Sequence, residues 1–244
     1  MKVVVVSPHL DDAVLSVGAT MNSLVRRGIE VALVTIFAGN IEQQGVASYW
    51  DAGRGVRDKQ AVLAARRRED AAAASVLGVQ PFWLQNDDSA YVSPREPETI
   101  WAALSGHLVG AAAVLVPGWP LTHADHRFAT NLVVGRAPSD LPVLFYTEMP
   151  YGAHPVAAAK GLLTGRRSAV LAHALGGPAT WHRTPTERGD FVAKWEAAGC
   201  YAGELELLGR DARFARVYDC LVRREWLACA PDLPVPAAVF GGRA

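Results

Sequence analysis

The sequence is poor in cysteine and in lysine, and it carries no net charge. Its three cysteines, Cys200, Cys220 and Cys229, form no CxxC pair, which argues against a zinc-thiolate site and a disulfide framework and favours a reducing compartment. The 24 basic residues, of which only four are lysines, are balanced by 24 acidic ones. This balance excludes the class of proteins that binds nucleic acids or membrane surfaces through clustered positive charge.

Long apolar runs are also missing. The longest after the N-terminus, Ala111–Val116, is far too short to span a membrane. The four N-terminal valines are followed at once by His9, Asp11 and Asp12, which leaves no apolar stretch of the length that a signal peptide needs. We therefore expect a protein without a membrane span that works in the cytoplasm.

The elements that are present predict an α/β fold. The chain has 244 residues, half of them hydrophobic, which suffices for one domain with a sizeable core. Lys2–Ser7 is typical of a strand buried on both faces, Ala13–Arg27 has the spacing of an amphipathic helix, and Glu30–Phe37 is a second valine-rich run. This order predicts a Rossmann-like, open, mostly parallel sheet with helices on both faces.

The same patterns suggest how the chain is divided. We expect a single domain over 1–244, with its core in 1–151 and a C-terminal part, 152–244, that supplies substrate-shaping elements. Phe191–Leu208 is expected to be helical. The long loop 38–55 has the length of a functional loop, but neither its role nor that of 152–190 follows from the sequence.

Two clusters of polar residues follow strands of this sheet. In the first, His9 and Asp12 can point at one centre, and Asp11 between them is left to hold a water molecule; the alternative is that one aspartate only caps the helix. In the second, either His123 or His126 can be a third ligand and the other an acid or oxyanion partner. Together they predict a metal site with two histidines, one carboxylate and an open fourth position.

The motifs PHLDD at Pro8–Asp12 and HADH at His123–His126 resemble the two signatures of the zinc-dependent N-acetylglucosaminylphosphatidylinositol de-N-acetylase-like proteins, the PIG-L or LmbE-like family. The resemblance extends from Lys2 to about Tyr151. Leu10 and Ala13 stand where the commoner form of the first motif, HPDDE, has Pro and Glu.

The resemblance implies a hydrolase that removes an acetyl group from an N-acetylglucosamine-like moiety of a sugar conjugate, with a role in secondary metabolism. It also implies roles for the residues of the two motifs. The metal ligands would be His9, Asp12 and His126, holding Zn²⁺ or another divalent metal such as Fe²⁺. The catalytic residues would be Asp11 as general base, His123 as the group at the oxyanion, acting as an imidazolium, and Asp125 behind His123.

Four further residues are candidates for substrate binding, and each also has a structural explanation. Arg68, with its neighbours, can bind a hydroxyl or phosphate or be a solvated helix residue, and Asp88 can bind sugar hydroxyls or form a turn. Trp50 can stack on a sugar ring or anchor its loop, and Glu148 is expected in the pocket wall.

Alternative functions remain open. One is an amidase for a thiol conjugate of a GlcN-inositol compound. Another is a nucleotide-sugar transferase or binding protein in which Asp11 and Asp12 hold Mg²⁺ and a diphosphate, although the glycine-rich turn of such proteins is missing after the first strand. The expected partner is a small N-acetylated sugar or glycoconjugate and no nucleic acid, and a homo-oligomer is one option for the assembly.

Overall fold

The computed structural model describes residues 1–53, 55–91, 95–153, 179–210, 225–229 and 236–240. Within them seven strands form one sheet: β1 (Lys2–Ser7), β2 (Glu30–Thr35), β3 (Gln80–Trp83), β4 (Ala111–Trp119), β5 (Val143–Thr147), β6 (Thr180–Arg183) and β7 (Trp226–Cys229). The helices are α1 (Asp12–Arg26), α2 (Tyr49–Ala52), α3 (Lys59–Leu77), α4 (Pro97–Leu108), α5 (Ala124–Arg136), α6 (Arg188–Gly199), α7 (Ala202–Arg210) and α8 (Ala237–Phe240).

The alternation of side chains along β1 builds a core on both faces of the sheet. Val3 and Val5 pack in one cluster with residues of α1, α3 and α6, whereas Val4 and Val6 pack in a second cluster with residues of α4 and α5. All four valines are fully buried, as expected of a strand covered on both sides. The α/β class expected from the sequence is confirmed.

The strand order places a crevice between β1 and β4. The sheet runs β3-β2-β1-β4-β5-β7-β6; β1 to β5 are parallel, and β7 is antiparallel to both of its neighbours. The chain leaves β1 toward β2 on one side and enters β4 on the other, so the order reverses between these two strands. Ligands in open α/β sheets bind beyond the carboxyl ends of the strands at this point of reversal.

The C-terminal part differs from the expectation. Phe191–Leu208 is helical as expected, but it is divided into two helices, α6 and α7, by a break at Cys200 and Tyr201. Of the C-terminal part, 152–244, for which substrate-shaping elements were expected, residues 154–178, 211–224, 230–235 and 241–244 lie outside the described residues. In the part of the chain that is described, every helix is too short or too polar to cross a membrane.

Candidate active site

The polar residues of both motifs meet at the carboxyl edge of the sheet. His9 and Asp12 follow β1, His126 follows β4, and Glu148 directly follows β5. Asp11 occupies the N-cap position of α1, but its side chain makes no capping hydrogen bond. Helix capping therefore does not explain this aspartate.

Three donor atoms converge between β1 and β4. The Oδ2 atom of Asp12 lies 3.0 Å from Nδ1 of His9 and 3.1 Å from Nε2 of His126, and the two nitrogens are 3.4 Å apart. Ligand atoms around a tetrahedral zinc ion, at about 2.0–2.1 Å from it, are separated by about 3.3 Å. The spacing and the donor types of these residues thus fit a divalent metal.

Two further carboxylates orient the histidines from behind. Glu148 Oε1 bonds Nδ1 of His126 at short distance, and Asp125 Oδ2 lies 3.1 Å from Nε2 of His9. Each carboxylate occupies the ring nitrogen that points away from Asp12, so the other nitrogen is left for a metal. This is the usual arrangement around histidine ligands.

Asp125 is thus the partner of His9 and not, as expected from the sequence, of His123. Its Oδ2 atom is 3.7 Å from Nδ1 of His123, beyond hydrogen-bond distance, and it accepts a hydrogen bond of 2.9 Å from Oγ of Ser89. Arg95 pairs with the other oxygen of Asp125. Burial raises the pKa of Asp125, but the hydrogen bond and charge of His9 and the hydrogen bonds from Ser89 outweigh it and lower the pKa, so that the carboxylate stays ionised.

The surroundings of His123 favour a neutral imidazole, whereas an imidazolium was expected from the sequence. Burial, with the nearby charges of His9 and His126, lowers the pKa of His123 to about 4. Its Nδ1 accepts the backbone N–H of Asp125 at 3.2 Å and so caps α5, which leaves the proton of the neutral ring on Nε2. A ring nitrogen of His123 also lies within 4.8 Å of ligand atoms of His9 and His126, so these three histidines form a second candidate ligand set.

Asp11 is held in a strained backbone conformation beside the three donor atoms. Its φ of 123° lies in a region that side chains other than glycine rarely adopt. Burial and the charges of Asp12 and Glu204 raise the pKa of Asp11. Strain of this kind is typical of functional sites, and a carboxyl group with a raised pKa is suited to accept and return a proton.

Asp11 and Asp12 line a cavity of about 290 Å³, together with His9, His123 and Asp125. The volume lies close to the lower end of the range, about 300–1,000 Å³, in which small molecules bind. The site therefore has room for one small polar ring.

Two of the four expected substrate-binding residues line this cavity. Asp88 does so while its Oδ1 accepts the backbone N–H of Ala90, so it also forms the expected turn. Trp50 lies in the wall and packs against an apolar cluster that includes Leu15 and Leu208, so it anchors its loop as well.

The other two expected residues lie elsewhere. Glu148 is buried behind His126 and does not line the cavity, because its two oxygens bond His126 and the backbone N–H of Leu121. Arg68 is exposed, and the arginine that lines the cavity is Arg66, which pairs with Asp51 at 3.1 Å.

Sequence reasoning included Arg66 only as a neighbour of Arg68 and missed Glu204, although a helical pattern indicates both. Arg66 lies four residues after the buried Val62 and four before the buried Asp70, on the inner face of α3. Glu204 precedes the buried Leu205 on α7 and is itself buried. A charged residue in register with the apolar face of a helix is the signal that could have identified each of them.

Comparison with known proteins assigns the chain to a family. The model of the PIG-L family, described as GlcNAc-PI de-N-acetylase, matches residues 4–136, which is more than half of the chain and includes both motifs. The chain belongs to the PIG-L family. The resemblance inferred from the two motifs is thereby confirmed, and the chain is a member of a family of deacetylases.

One curated relative and two solved structures illustrate the PIG-L similarity. The 2'-N-acetylparomamine deacetylase of Niallia circulans is 27% identical over 183 residues, 60% of this chain and 66% of the relative, which is just under two thirds of its length. The zinc-inhibited form of teicoplanin deacetylase Orf2 has a TM-score of 0.73 at 20% identity and covers 96% of this chain and 100% of its own.

The second structure shows that this fold also supports another reaction. GalB, the 4-carboxy-2-hydroxymuconate hydratase of Pseudomonas putida KT2440, has a TM-score of 0.58 at 18% identity over 96% of this chain and 97% of its own. The fold alone therefore does not decide the reaction, which has to be argued from the site.

Proposed function

We propose that this PIG-L protein is a metal-dependent N-deacetylase that hydrolyses the acetamide of an N-acetylglucosamine-like moiety in a sugar conjugate of secondary metabolism. The convergence of donor atoms from His9, Asp12 and His126 beside the carboxyl group of Asp11 carries the proposal. The names of the paromamine and teicoplanin relatives support the reaction and the substrate class.

The proposed metal is zinc, with Fe²⁺ as the other candidate, held by His9, Asp12 and His126. The zinc-inhibited form of teicoplanin deacetylase, which has the same fold, supports zinc as an ion that such proteins can bind. When bound, a divalent cation polarises an amide carbonyl and acidifies water. His123, whose Nδ1 is already occupied by a backbone N–H, is assigned to the substrate and not to the metal.

In the proposed mechanism, one side chain transfers the proton and a second stabilises the developing oxyanion. Asp11 takes a proton from the attacking water and returns it to the amine nitrogen as the C–N bond breaks, which gives acetate and a free amine. His123 donates its Nε2–H to the carbonyl oxygen as negative charge develops there. A neutral imidazole can do this without being protonated first.

The rival nucleotide-sugar transferase or binding protein is not supported by the described site. The loop between β1 and α1 contains no glycine, and the carboxylates that line the cavity repel a diphosphate. An amidase for a GlcN-inositol thiol conjugate would use the same chemistry and would differ from the proposed deacetylase only in its substrate. The cytoplasmic location, the single-domain division and the oligomeric state stay predictions.

The proposal is tested with a panel of N-acetylglucosaminides that differ in the aglycone. Metal-loaded protein should release acetate and free amine in equal amounts from at least one member, and chelated protein should release neither. The amidase alternative is tested by including an N-acylated GlcN-inositol thiol conjugate. If metal-loaded protein left every member intact, the deacetylase proposal would be wrong.

Metal binding should release protons and strengthen as pH rises. Although burial opposes it, hydrogen bonds to Asp12 and Asp125 raise the pKa of metal-free His9 to about 9, and Asp12 and Glu148 raise that of His126. A metal must displace these protons, so its affinity should rise about tenfold per pH unit for each proton displaced between pH 7 and pH 9. Calorimetry in buffers of different ionisation enthalpy counts the protons, and an affinity independent of pH would contradict this prediction.

The same raised pKa makes metal-free protein sensitive to alkali. The stability that protonated His9 contributes is complete below its unfolded pKa, near 6.5, and is lost as pH rises through its folded pKa of about 9. The Tm of chelated protein should therefore fall between pH 6.5 and pH 9. The difference in Tm between metal-loaded and chelated protein should widen over the same interval, and a constant difference would argue against protonated His9.

Replacing Glu148 with glutamine should weaken metal binding by about 10- to 100-fold. A glutamine cannot accept hydrogen bonds from both His126 and the backbone N–H of Leu121, because one of its two polar atoms is a donor. The measurement is a competition titration with a chelator. Glu98→Gln, which removes an exposed carboxylate paired with Arg136, is the control and should leave the affinity unchanged. Equal affinities of the two variants would show that Glu148 does not orient a ligand.

A further inference from the structure

Arg95, two residues before α4, is an arginine to which the proposed chemistry gives no role. Its side chain is 25% exposed and pairs with Oδ1 of Asp125, whose own side chain is fully buried. In the described part of the chain, Arg95 is the group that donates to Oδ1. The donors on the other side, at Oδ2, are the backbone N–H and Oγ of Ser89, at 3.2 and 2.9 Å, and Nε2 of His9 at 3.1 Å.

Two aromatic rings fix the position of the guanidinium. Its central carbon lies 5.5 Å from the ring centre of Phe37 and 5.3 Å from that of Phe128, and the two ring centres are 5.8 Å apart. A guanidinium over aromatic faces gains cation–π attraction. Phe37 is buried, and its ring centre is 6.0 Å from that of His9. The guanidinium and the His9 imidazole are therefore packed beside the same core ring.

Asp125 is the carboxylate on which Arg95 has the largest effect. Asp87 lines a small surface pocket together with Arg95, but it is already paired with Lys59 at 2.6 Å. Glu96, the other acidic residue of this pocket, is exposed. A pair with an exposed carboxylate contributes little, whereas a buried carboxylate that loses its partner is strongly destabilised.

A carboxylate that is held at one oxygen only can still turn. The torsion that rotates the carboxylate of an aspartate has broad minima, and so has the torsion that rotates the ring of a histidine. The donors at Oδ2 therefore do not by themselves fix the plane of Asp125, and the ring of His9 can turn with it. A donor at Oδ1, on the opposite side, removes this freedom.

We propose that Arg95 is a positioning residue: it locks the carboxylate of Asp125, and through it the ring of His9, in the orientation in which Nδ1 of His9 faces Oδ2 of Asp12. The inference rests on the proposed function, because it concerns a ligand of the proposed metal. Arg95 acts on metal affinity through Asp125, and its removal should therefore have no effect of its own once Asp125 can no longer hold His9.

The proposal is tested with Zn²⁺ alone, by competition titration with a chelator. The proteins are wild type, Arg95→Met, Asp125→Asn, the double variant that combines these two, and the control Arg136→Met, which removes an arginine paired with the exposed Glu98. The Tm of each metal-free protein verifies that it is folded. If Arg95→Met does not fold, Arg95→Lys replaces it; this variant keeps the charge but loses the planar group over the two rings, so its affinity should lie between those of wild type and Asp125→Asn.

Arg95→Met should weaken Zn²⁺ binding about tenfold and Asp125→Asn by about 10- to 100-fold, whereas the double variant should bind like Asp125→Asn and Arg136→Met like wild type. Equal Kd of wild type and Arg95→Met, or a further tenfold loss when Arg95→Met is added to Asp125→Asn, would overturn the positioning role. A wild type that binds no Zn²⁺ would contradict both this role and the proposed metal site. The expected pattern of Kd without acetate release from any glycoside would count against the proposed function alone.

Discussion

Replacing Asp11 with asparagine should lower kcat for acetate release by about 10²- to 10⁴-fold, the usual effect of losing a general base, and leave one metal ion bound per chain. The amide keeps the size of the side chain but cannot accept the proton of the attacking water. The metal should remain because His9, Asp12 and His126 are untouched. Acetate release and elemental analysis on the same preparation measure both quantities.

The same substitution should stabilise the metal-free protein. Burial and the charges of Asp12 and Glu204 raise the pKa of Asp11, so its ionised form costs stability at every pH above its unfolded pKa. Asparagine removes this cost and is, like aspartate, among the residues that tolerate a positive φ, here 123°. The Tm at pH 7 should rise, by about 2–4 °C for each kcal/mol gained in a chain of this size.

Asp140→Asn, at an exposed position, is the control and should change neither kcat nor Tm. Loss of metal together with activity in Asp11→Asn would make Asp11 a ligand. Unchanged activity would remove it from the mechanism.

Replacing His126 with alanine should abolish both metal binding and deacetylation. Loss of a residue that hydrogen-bonds to a metal ligand weakens metal affinity by roughly 10- to 100-fold, and loss of the ligand itself should weaken it further. The change also leaves the carboxylates of Asp12 and Glu148 without the imidazole between them, so Tm should fall. Metal content after dialysis and the rate of acetate release are the measurements.

Two other histidine variants separate the candidate ligand sets. His123→Ala should retain the metal and lose most activity, if the ligands are His9, Asp12 and His126. It should lose the metal if the set is His9, His123 and His126. His107→Ala, on α4, should leave both readouts unchanged. Retention of metal and activity by His126→Ala would contradict the proposed site.

Local patterns explain why the sheet and the two motifs were predictable. The β-branched run of β1 is typical of a strand buried on both faces, and the carboxyl ends of parallel strands meet at one edge. His9, Asp12 and His126 therefore had to come together once the order of strands was known.

What was missed depends on contacts between residues distant in sequence. β6 and β7 have four residues each, and their pairing with each other and of β7 with β5 carries no local signal. The partner of Asp125 was misassigned because His123 is its neighbour in sequence, whereas His9 is its neighbour in space. Arg68 was preferred to Arg66 because the three consecutive arginines of α3 look equivalent until the buried face of the helix is known.

The most direct test is to add zinc in steps to metal-free protein while following acetate release from the best substrate of the panel. The rate should rise in proportion to bound zinc and stop rising at one ion per chain, with Asp11→Asn binding the same single ion and remaining inactive. A rate that does not change with bound metal, or a chain that binds none, would contradict a metal-dependent deacetylase.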